Sequence, residues 1–380
     1  METPFGNSIS YKKEGRSLSQ KSVAIAAVAL VGLAVLVVTT LHSATAGVHQ
    51  QAAELVSQYV GTPPQLDGVA EALWDKAPES AFTVVGGVNT SSHQVAIRSV
   101  YADDRVYFLV RWDDPTESLR RFPWVKQDDG SWKRLSDGPS GDENTFYEDK
   151  LAFVWNIGNS ISGFNQAGCM MTCHVGEAGK PYGNKYTTNA GEKGDIWHWK
   201  SVRTGAVGFT DDQYVDDVRW SAETPEAGRH SDPNQGGGYK DNKNDAGTAP
   251  AYMGPGGANS GYWILDAEKQ PFVDTFASGD EIASILVSPL TGDRGELPAM
   301  AQYSNGGWTL ELSRALVTGS DKDVQFDDLS QPYYFGVAVF DNAQVRHSFE
   351  TGVSALRFGE RPTTAVAQSS WGKIKKGMNR

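Results

Sequence analysis

The chain has 380 residues, 39% of them hydrophobic and 21% charged, with 11 Trp, 41 Gly and a formal net charge of −12. It is long enough to bury a large core in one to three domains, and its negative balance excludes the basic face that a nucleic-acid partner requires. Two cysteines exclude a disulfide framework, so the core must carry the fold.

Residues 1–21 carry Lys12, Lys13, Arg16 and Lys21 against Glu2 and Glu14. The uncharged run Val23 to Leu41 follows, and no charged side chain appears again before Glu54. About 20 apolar residues span the hydrocarbon core as a helix, so 22–41 is predicted as a transmembrane anchor. The positive-inside rule leaves the N-terminus in the cytoplasm and exports everything after residue 46, which predicts a single-pass protein of a bacterial inner membrane with a periplasmic body. A cleaved signal peptide competes, because Ala44-Thr45-Ala46 has the A-x-A form of a cleavage site. Residues 42–62 are predicted as a polar tether with some helical character.

From residue 63 to 360 the signals are mostly β. Residues 93–112 alternate β-branched and aromatic residues around an Ala-Asp-Asp-Arg turn, and predict a hairpin. Residues 150–157 predict a buried strand, and 261–268 and 281–288 two more. A second hairpin turns at Asn305-Gly306. Residues 331–341 end in a strand, and 353–359 close the body. Phe209 to Val218 is the one stretch after residue 75 with a trace of helical periodicity. Many short strands without alternating helices predict an all-β fold, an antiparallel β-sandwich. Residues 221–260 are rich in Gly, Pro, Asn and Asp and poor in aliphatics, and predict an insertion or a mobile loop. Residues 361–380 form a polar tail.

Both cysteines stand in "GCMMTCH" as Cys169 and Cys173, with His174 directly after. A disulfide would close a very short loop and gain little. A structural zinc wants four ligands, and no second Cys/His pair lies nearby. A redox dithiol prefers C-x-x-C beside a βαβ unit. The favoured reading is a c-type haem, whose motif C-x-x-C-H is here lengthened by one residue. The two sulfurs would form thioethers at one porphyrin edge, and His174 would ligate the iron.

The surrounding segments resemble a known family, the haem-binding domain related to the gamma subunit of ethylbenzene dehydrogenase. The resemblance is carried by "LDGVAEALWDKA", "VYFLVRWDD", "DGSWKRL", "YEDKLAFVWNI", "GCMMTCH", "GDIWHWKSVRTGAVGFTDDQYVDD" and "FGVAVFDNAQVRHSFETGVSALRFG", across about residues 60–360. It implies a β-sandwich resembling a carbohydrate-binding module, with haem held at one end. The family's founding subunit holds non-covalent haem b between a methionine and a lysine. This chain resembles the branch in which cysteines fix the haem covalently.

His174 fills one axial position, and the second ligand sets the potential. The suitable groups are Met170, Met171, Met253, Met300, His93, His198, His230 and His347. Met170 and Met171 lie between the cysteines, His230 and Met253 in the glycine-rich segment. Met300 reads as core filling on a strand, and His93 as a surface residue. His347 is favoured, because it falls where the founding subunit has its lysine and has a strand behind it. His198, between two tryptophans, is the rival. Trp155, Trp197 and Trp199 read as core or pocket wall. Asp211, Asp212, Asp216 and Asp217 lack a regular calcium-loop spacing and read as a solvated face.

The sequence thus predicts a non-catalytic, membrane-anchored monohaem cytochrome c that carries single electrons. Its redox partners would be a quinol-oxidising complex, a terminal reductase or oxidase, or a molybdenum-enzyme subunit. The rival readings are the haem subunit of a dimethyl-sulfoxide-reductase-type molybdenum enzyme and a haem-free carbohydrate-binding sandwich.

Overall fold

The predicted hairpin forms from Ser92–Ala102 and Arg105–Asp113, which pair antiparallel from Val95↔Trp112 to Ala102↔Arg105. Asp103 takes a positive φ of 51° at the turn, a conformation that a short polar side chain tolerates. The second hairpin, Ala299–Ser304 with Gly307–Ala315, turns at Asn305 (φ 53°) and Gly306 (φ 76°). Two successive positive-φ residues are what a two-residue hairpin turn demands. The computed structural model describes residues 53–139, 141–174, 186–219, 221, 223 and 228–362. The predicted anchor at 22–41, the tether up to residue 52 and the tail from 363 lie outside the described residues. No helix among the described residues is long and apolar enough to cross a membrane.

One 13-stranded sheet doubles back on itself to make the sandwich. One layer runs Arg229–Ser231, Asp211–Val215, Gly194–Lys200, Lys150–Asn156, Tyr333–Phe340. The other runs Ser80–Val85, Ser92–Ala102, Arg105–Asp113, Gly307–Ala315, Ala299–Ser304. Two short links join the layers. Ser348–Phe349 bridges Tyr333–Phe340 to Ser80–Val85, and Ser354–Phe358 with Ala53–Tyr59 bridges it to Ser92–Ala102. Pairing within the layers is antiparallel, while Ala53–Tyr59 pairs parallel with both its neighbours.

Side chains alternate across a strand, so every second residue enters the space between the layers. Phe108, Phe153, Trp155, Trp197, Phe335, Leu310 and Leu312 meet there, each at most 1% exposed. Trp155 sits with Phe335 at 4.6 Å and with Trp197 at 4.8 Å between ring centroids. Full burial of one such side chain contributes about 1.5–3 kcal/mol. Trp155, Trp197 and Trp199 are therefore core.

Two elements differ from the sequence reading. The helical character expected of 47–62 gives way to the strand Ala53–Tyr59, because Leu55 and Ser57 bury against strands distant in sequence. The periodicity at Phe209 to Val218 resolves as the strand Asp211–Val215, paired with Gly194–Lys200. Residues 228–260 of the glycine-rich segment are held in place. Asn242, 1% exposed, accepts from the amides of Ala251 (3.1 Å) and Tyr252 (2.9 Å) and donates to the carbonyls of Tyr252 (2.9 Å) and Ala283 (2.8 Å). Tyr252 and Met253 pack on Trp124, Trp132, Ile264 and Leu286, so polar bonds supply order that composition alone does not announce.

Candidate functional site

The strands Lys150–Asn156 and Tyr333–Phe340 turn one set of side chains into the core and the other outward. Leu151, Phe153, Trp155, Phe335, Val337 and Val339 are core. Lys150, Ala152, Val154, Gly336, Ala338 and Phe340 point the opposite way. On that outer face lies the 3-10 turn Gly168–Met171. Cys169, 3% exposed, packs there with Val154, Ile161, Phe164, Ile196, Val215 and Val353. A Cβ on Gly336 would sit closer than 3.0 Å to Cys169 Sγ, so only glycine lets the thiol approach the strand.

The amides of Thr172 (3.3 Å) and His174 (3.1 Å) both donate to the Cys169 carbonyl. The longer spacing between the cysteines is thus folded into a tight turn that returns His174 to the same end as Cys169. His174 stacks on Phe349, with ring centroids 3.7 Å apart and planes 16° from parallel. Its Nε2 faces Nε2 of His347 at 3.2 Å, across 173 residues of sequence. His347 leans on Phe340 at 4.3 Å. The loop that delivers His347 is pinned. Arg346, at φ 55°, donates from Nε (2.8 Å) and Nη2 (2.5 Å) to the Asp142 carboxylate, and Gln344 donates its amide to the Glu143 carbonyl at 2.7 Å.

Burial pushes the His174 imidazole down to about 4. Burial, then His174 and Lys150, hold His347 well below the ordinary histidine range. Both rings are neutral at neutral pH, the form in which imidazole ligates a metal. Lys150, 2% exposed, reaches over the Phe340 ring at 4.0 Å and donates to the Gln344 carbonyl at 3.1 Å. Burial, then Arg203, hold its ammonium well below the usual lysine range.

The donor set fits a haem, which His174 and His347 would hold through their imidazoles and Cys169 and Cys173 through their sulfurs. An imidazole nitrogen sits about 2 Å from a bound metal, and the 3.2 Å between His174 Nε2 and His347 Nε2 would put both within reach of one ion. Cys169 and Cys173 are unbridged. Burial, then the neighbouring Cys173 and Glu350, push the Cys169 thiol well up, and burial raises Cys173. Neither is the low-pKa thiolate of a redox dithiol.

The other predicted residues lie elsewhere. His198 is buried on the outer face, stacked on Phe340 at 5.4 Å, with Nδ1 3.3 Å from Gln213 Oε1 and, among the described residues, no partner at Nε2. His93, expected at the surface, is 1% exposed, with Nδ1 2.6 Å from the Asp113 carbonyl, because it begins the inward register of Ser92–Ala102. Met300, expected in the core, is 41% exposed. Met170 is also exposed, and Met171 packs over Gly163. Met253 packs in the satellite cluster, and His230 stacks on Tyr214. Asp211 and Asp212 are fully buried, contrary to a solvated face. Asp211 is paired with Lys200 and, at 2.6 Å, with Arg294 Nε, while Asp216 and Asp217 are half-buried. Lys150 and Gly336 escaped the sequence reading. Counting strand alternation from Phe153 and Phe335 assigns both to the outer face.

A sequence model of the family described as ethylbenzene dehydrogenase matches residues 71–352, well over half of the chain. No curated protein matches the chain significantly. Among solved structures, the chain is similar to a carbohydrate binding module family 9 from Caldicellulosiruptor kristjanssonii in complex with glucose. The TM-score is 0.34 at 8% identity, covering 82% of this chain and 98% of that one. The same module with cellotriose gives 0.33 at 8% identity, covering 82% and 96%. The sandwich rests on the chain's own strand pairing.

Proposed function

The chain belongs to the ethylbenzene dehydrogenase family, and from that premise we propose that it is an oxidoreductase-associated, non-catalytic domain that binds one covalent haem c. The observation that carries the reading is the meeting of His174 and His347, Nε2 to Nε2 at 3.2 Å. Cys169 and Cys173 lie on the turn that positions His174. Haem held there supplies a one-electron couple. The chain's own residues do the rest. Phe349 and Phe340 orient the two imidazoles, the Arg346–Asp142 pair fixes the loop behind His347, and burial keeps both rings unprotonated. The Cys169 and Cys173 sulfurs would make the thioether bonds.

Val23 to Leu41, uncharged and preceded by basic residues, supports a membrane anchor with the body on the far side of an inner membrane. The partners would then be redox proteins that exchange single electrons there: a quinol-oxidising complex, a terminal reductase or oxidase, or a molybdenum-enzyme subunit.

The test is spectroscopic. Protein matured with a c-type assembly system should carry one haem that survives acid–acetone extraction, with a low-spin spectrum. His347→Ala should keep the attached haem, turn it high-spin and let the ferrous form bind carbon monoxide. His198→Ala should stay low-spin. Haem that extracts cleanly overturns the covalent reading. A low-spin His347→Ala protein beside a high-spin His198→Ala protein moves the ligand to His198.

A further inference from the structure

Inside the sandwich, away from the cysteines, three carboxylates converge on one guanidinium and a fourth stands beside them. Asp195 comes from Gly194–Lys200, Asp212 from Asp211–Val215, Arg314 from Gly307–Ala315, and Asp232 and Asp323 from loops. All five are at most 2% exposed. Carboxylate oxygens of Asp195, Asp212 and Asp323 lie within 4.8 Å of one another. Asp232 lies beside them, its amide donating to the Asp212 carbonyl at 3.2 Å.

Arg314 satisfies part of this. Its Nη1 donates to Asp195 Oδ2 at 2.8 Å, and its Nη2 pairs with Asp323 Oδ2 at 2.7 Å. The Val324 amide adds 2.9 Å to Asp195 Oδ2, and Thr318 Oγ1 adds 2.6 Å to Asp323 Oδ2. Among the described residues, no donor reaches either oxygen of Asp212, either oxygen of Asp232, Oδ1 of Asp195 or Oδ1 of Asp323. A buried carboxylate oxygen without a donor is costly, and six of them gathered around one cation call for more positive charge.

The second acidic cluster, Asp114, Asp149 and Asp341, shows what the alternative looks like. There Asp149 accepts from the amides of Ser118 (2.7 Å) and Asn342 (2.9 Å), and Asp341 Oδ2 from Thr90 Oγ1 (2.6 Å). Among the described residues, Asp114 Oδ2 is the buried oxygen of that cluster left without a partner.

We propose that Asp195, Asp212, Asp232 and Asp323 bind a calcium ion within the sandwich. The donors are all hard oxygens, which excludes the soft transition metals that prefer imidazole and thiolate. Calcium takes about 6–8 oxygens in adaptable geometry, whereas magnesium demands a near-octahedral set and keeps several waters, so a buried set of carboxylates favours calcium. Without the ion Asp212 and Asp232 are driven towards their protonated forms. Burial first, then the crowding of like charges, pushes Asp212 well up and Asp232 to about 8. The proposed ion would tie both layers together at this end and act structurally, independently of haem.

The test uses the full chain, equilibrated with calcium chloride and desalted into metal-free buffer. Mass-spectrometric metal analysis should find one calcium per chain. EGTA should lower Tm by several degrees, and calcium but not equimolar magnesium should restore it. Asp212→Asn, with Asp232→Asn as a second variant if the first fails to fold, should lose both the retained calcium and the Tm response. Asp114→Asn should keep both. No retained calcium with a Tm indifferent to EGTA overturns the proposal in favour of shared protons. Calcium lost from Asp114→Asn but kept by Asp212→Asn overturns it in favour of the other cluster.

Discussion

Gly336→Ala isolates the contact that seats the first cysteine. Gly336 lies inside the strand Tyr333–Phe340 with φ outside the left-handed region, so alanine can adopt its backbone. In an unobstructed strand the change alone would stabilise by roughly 0.5–1 kcal/mol. Here the added methyl falls closer than 3.0 Å to Cys169 Sγ, and lies 3.6 Å from Cys169 N and 3.7 Å from its Cβ. Cys169 cannot withdraw freely. Gly168 before it takes φ 53° against the Gly352 carbonyl, and the carbonyl of Cys169 holds the amides of Thr172 and His174. Overpacking a fixed neighbour costs about 1–3 kcal/mol, so a net loss of about 1–2 kcal/mol and a Tm lower by several degrees are expected. Urea denaturation in a double-mutant cycle with Cys169→Ala is the assay. With the sulfur gone, the same Gly336→Ala change should become neutral or stabilising, a coupling of about 1–3 kcal/mol. Equal costs in both backgrounds, or a stabilised single variant, would refute the packing argument.

Asp114→Asn tests the other acidic cluster through pH. Burial first, then Asp149 and Asp341, pushes Asp114 from 3.8 up to about 8, so the folded state holds its proton where the unfolded chain has released it. Stability from this group is full below 3.8 and is lost as pH rises towards 8, so the variant's Tm should gain on the native protein's between pH 5 and pH 8. A Tm difference that stays constant over that interval counts against the raised carboxyl. The anchor predicted at Val23 to Leu41 should hold the protein in membranes through high-salt and carbonate washing, with its N-terminus retained. A soluble product that begins at Gly47 would show cleavage after Ala46 instead.

Strand alternation and turn chemistry made most of the sandwich legible. Asn305-Gly306 and Asp103-Asp104 each turn a hairpin where their residue types predict it. Ala53–Tyr59 was hidden, because its partners are Ser354–Phe358 and Ser92–Ala102, far along the chain. Local periodicity carries no signal for a parallel pairing of that kind. The order of the glycine-rich segment hangs on Asn242, one polar side chain with four backbone partners, in a stretch whose composition reads as loop. His93 and Asp212 failed for one shared reason. Polar character argues for the surface, but register decides the face, and both registers point inward.

The candidate site follows from that same register. Tyr333–Phe340 gives Phe335, Val337 and Val339 to the aromatic core, and this fixes Gly336, Ala338 and Phe340 on the opposite face without freedom to slip. A shift by one residue would bury glycine and alanine where the core needs Phe335, and would drive phenylalanine and valine into the space of Cys169. Core packing therefore sets how near the thiol comes to the sheet and where Phe340 meets His347. The chain beyond the strand adds the short loop braced by Arg346 and Asp142, which returns His347 towards His174. Two histidines 173 positions apart are thereby held together by the sandwich rather than by any local motif. No local pattern announces that meeting, because it depends on strand register and on a loop far along the chain.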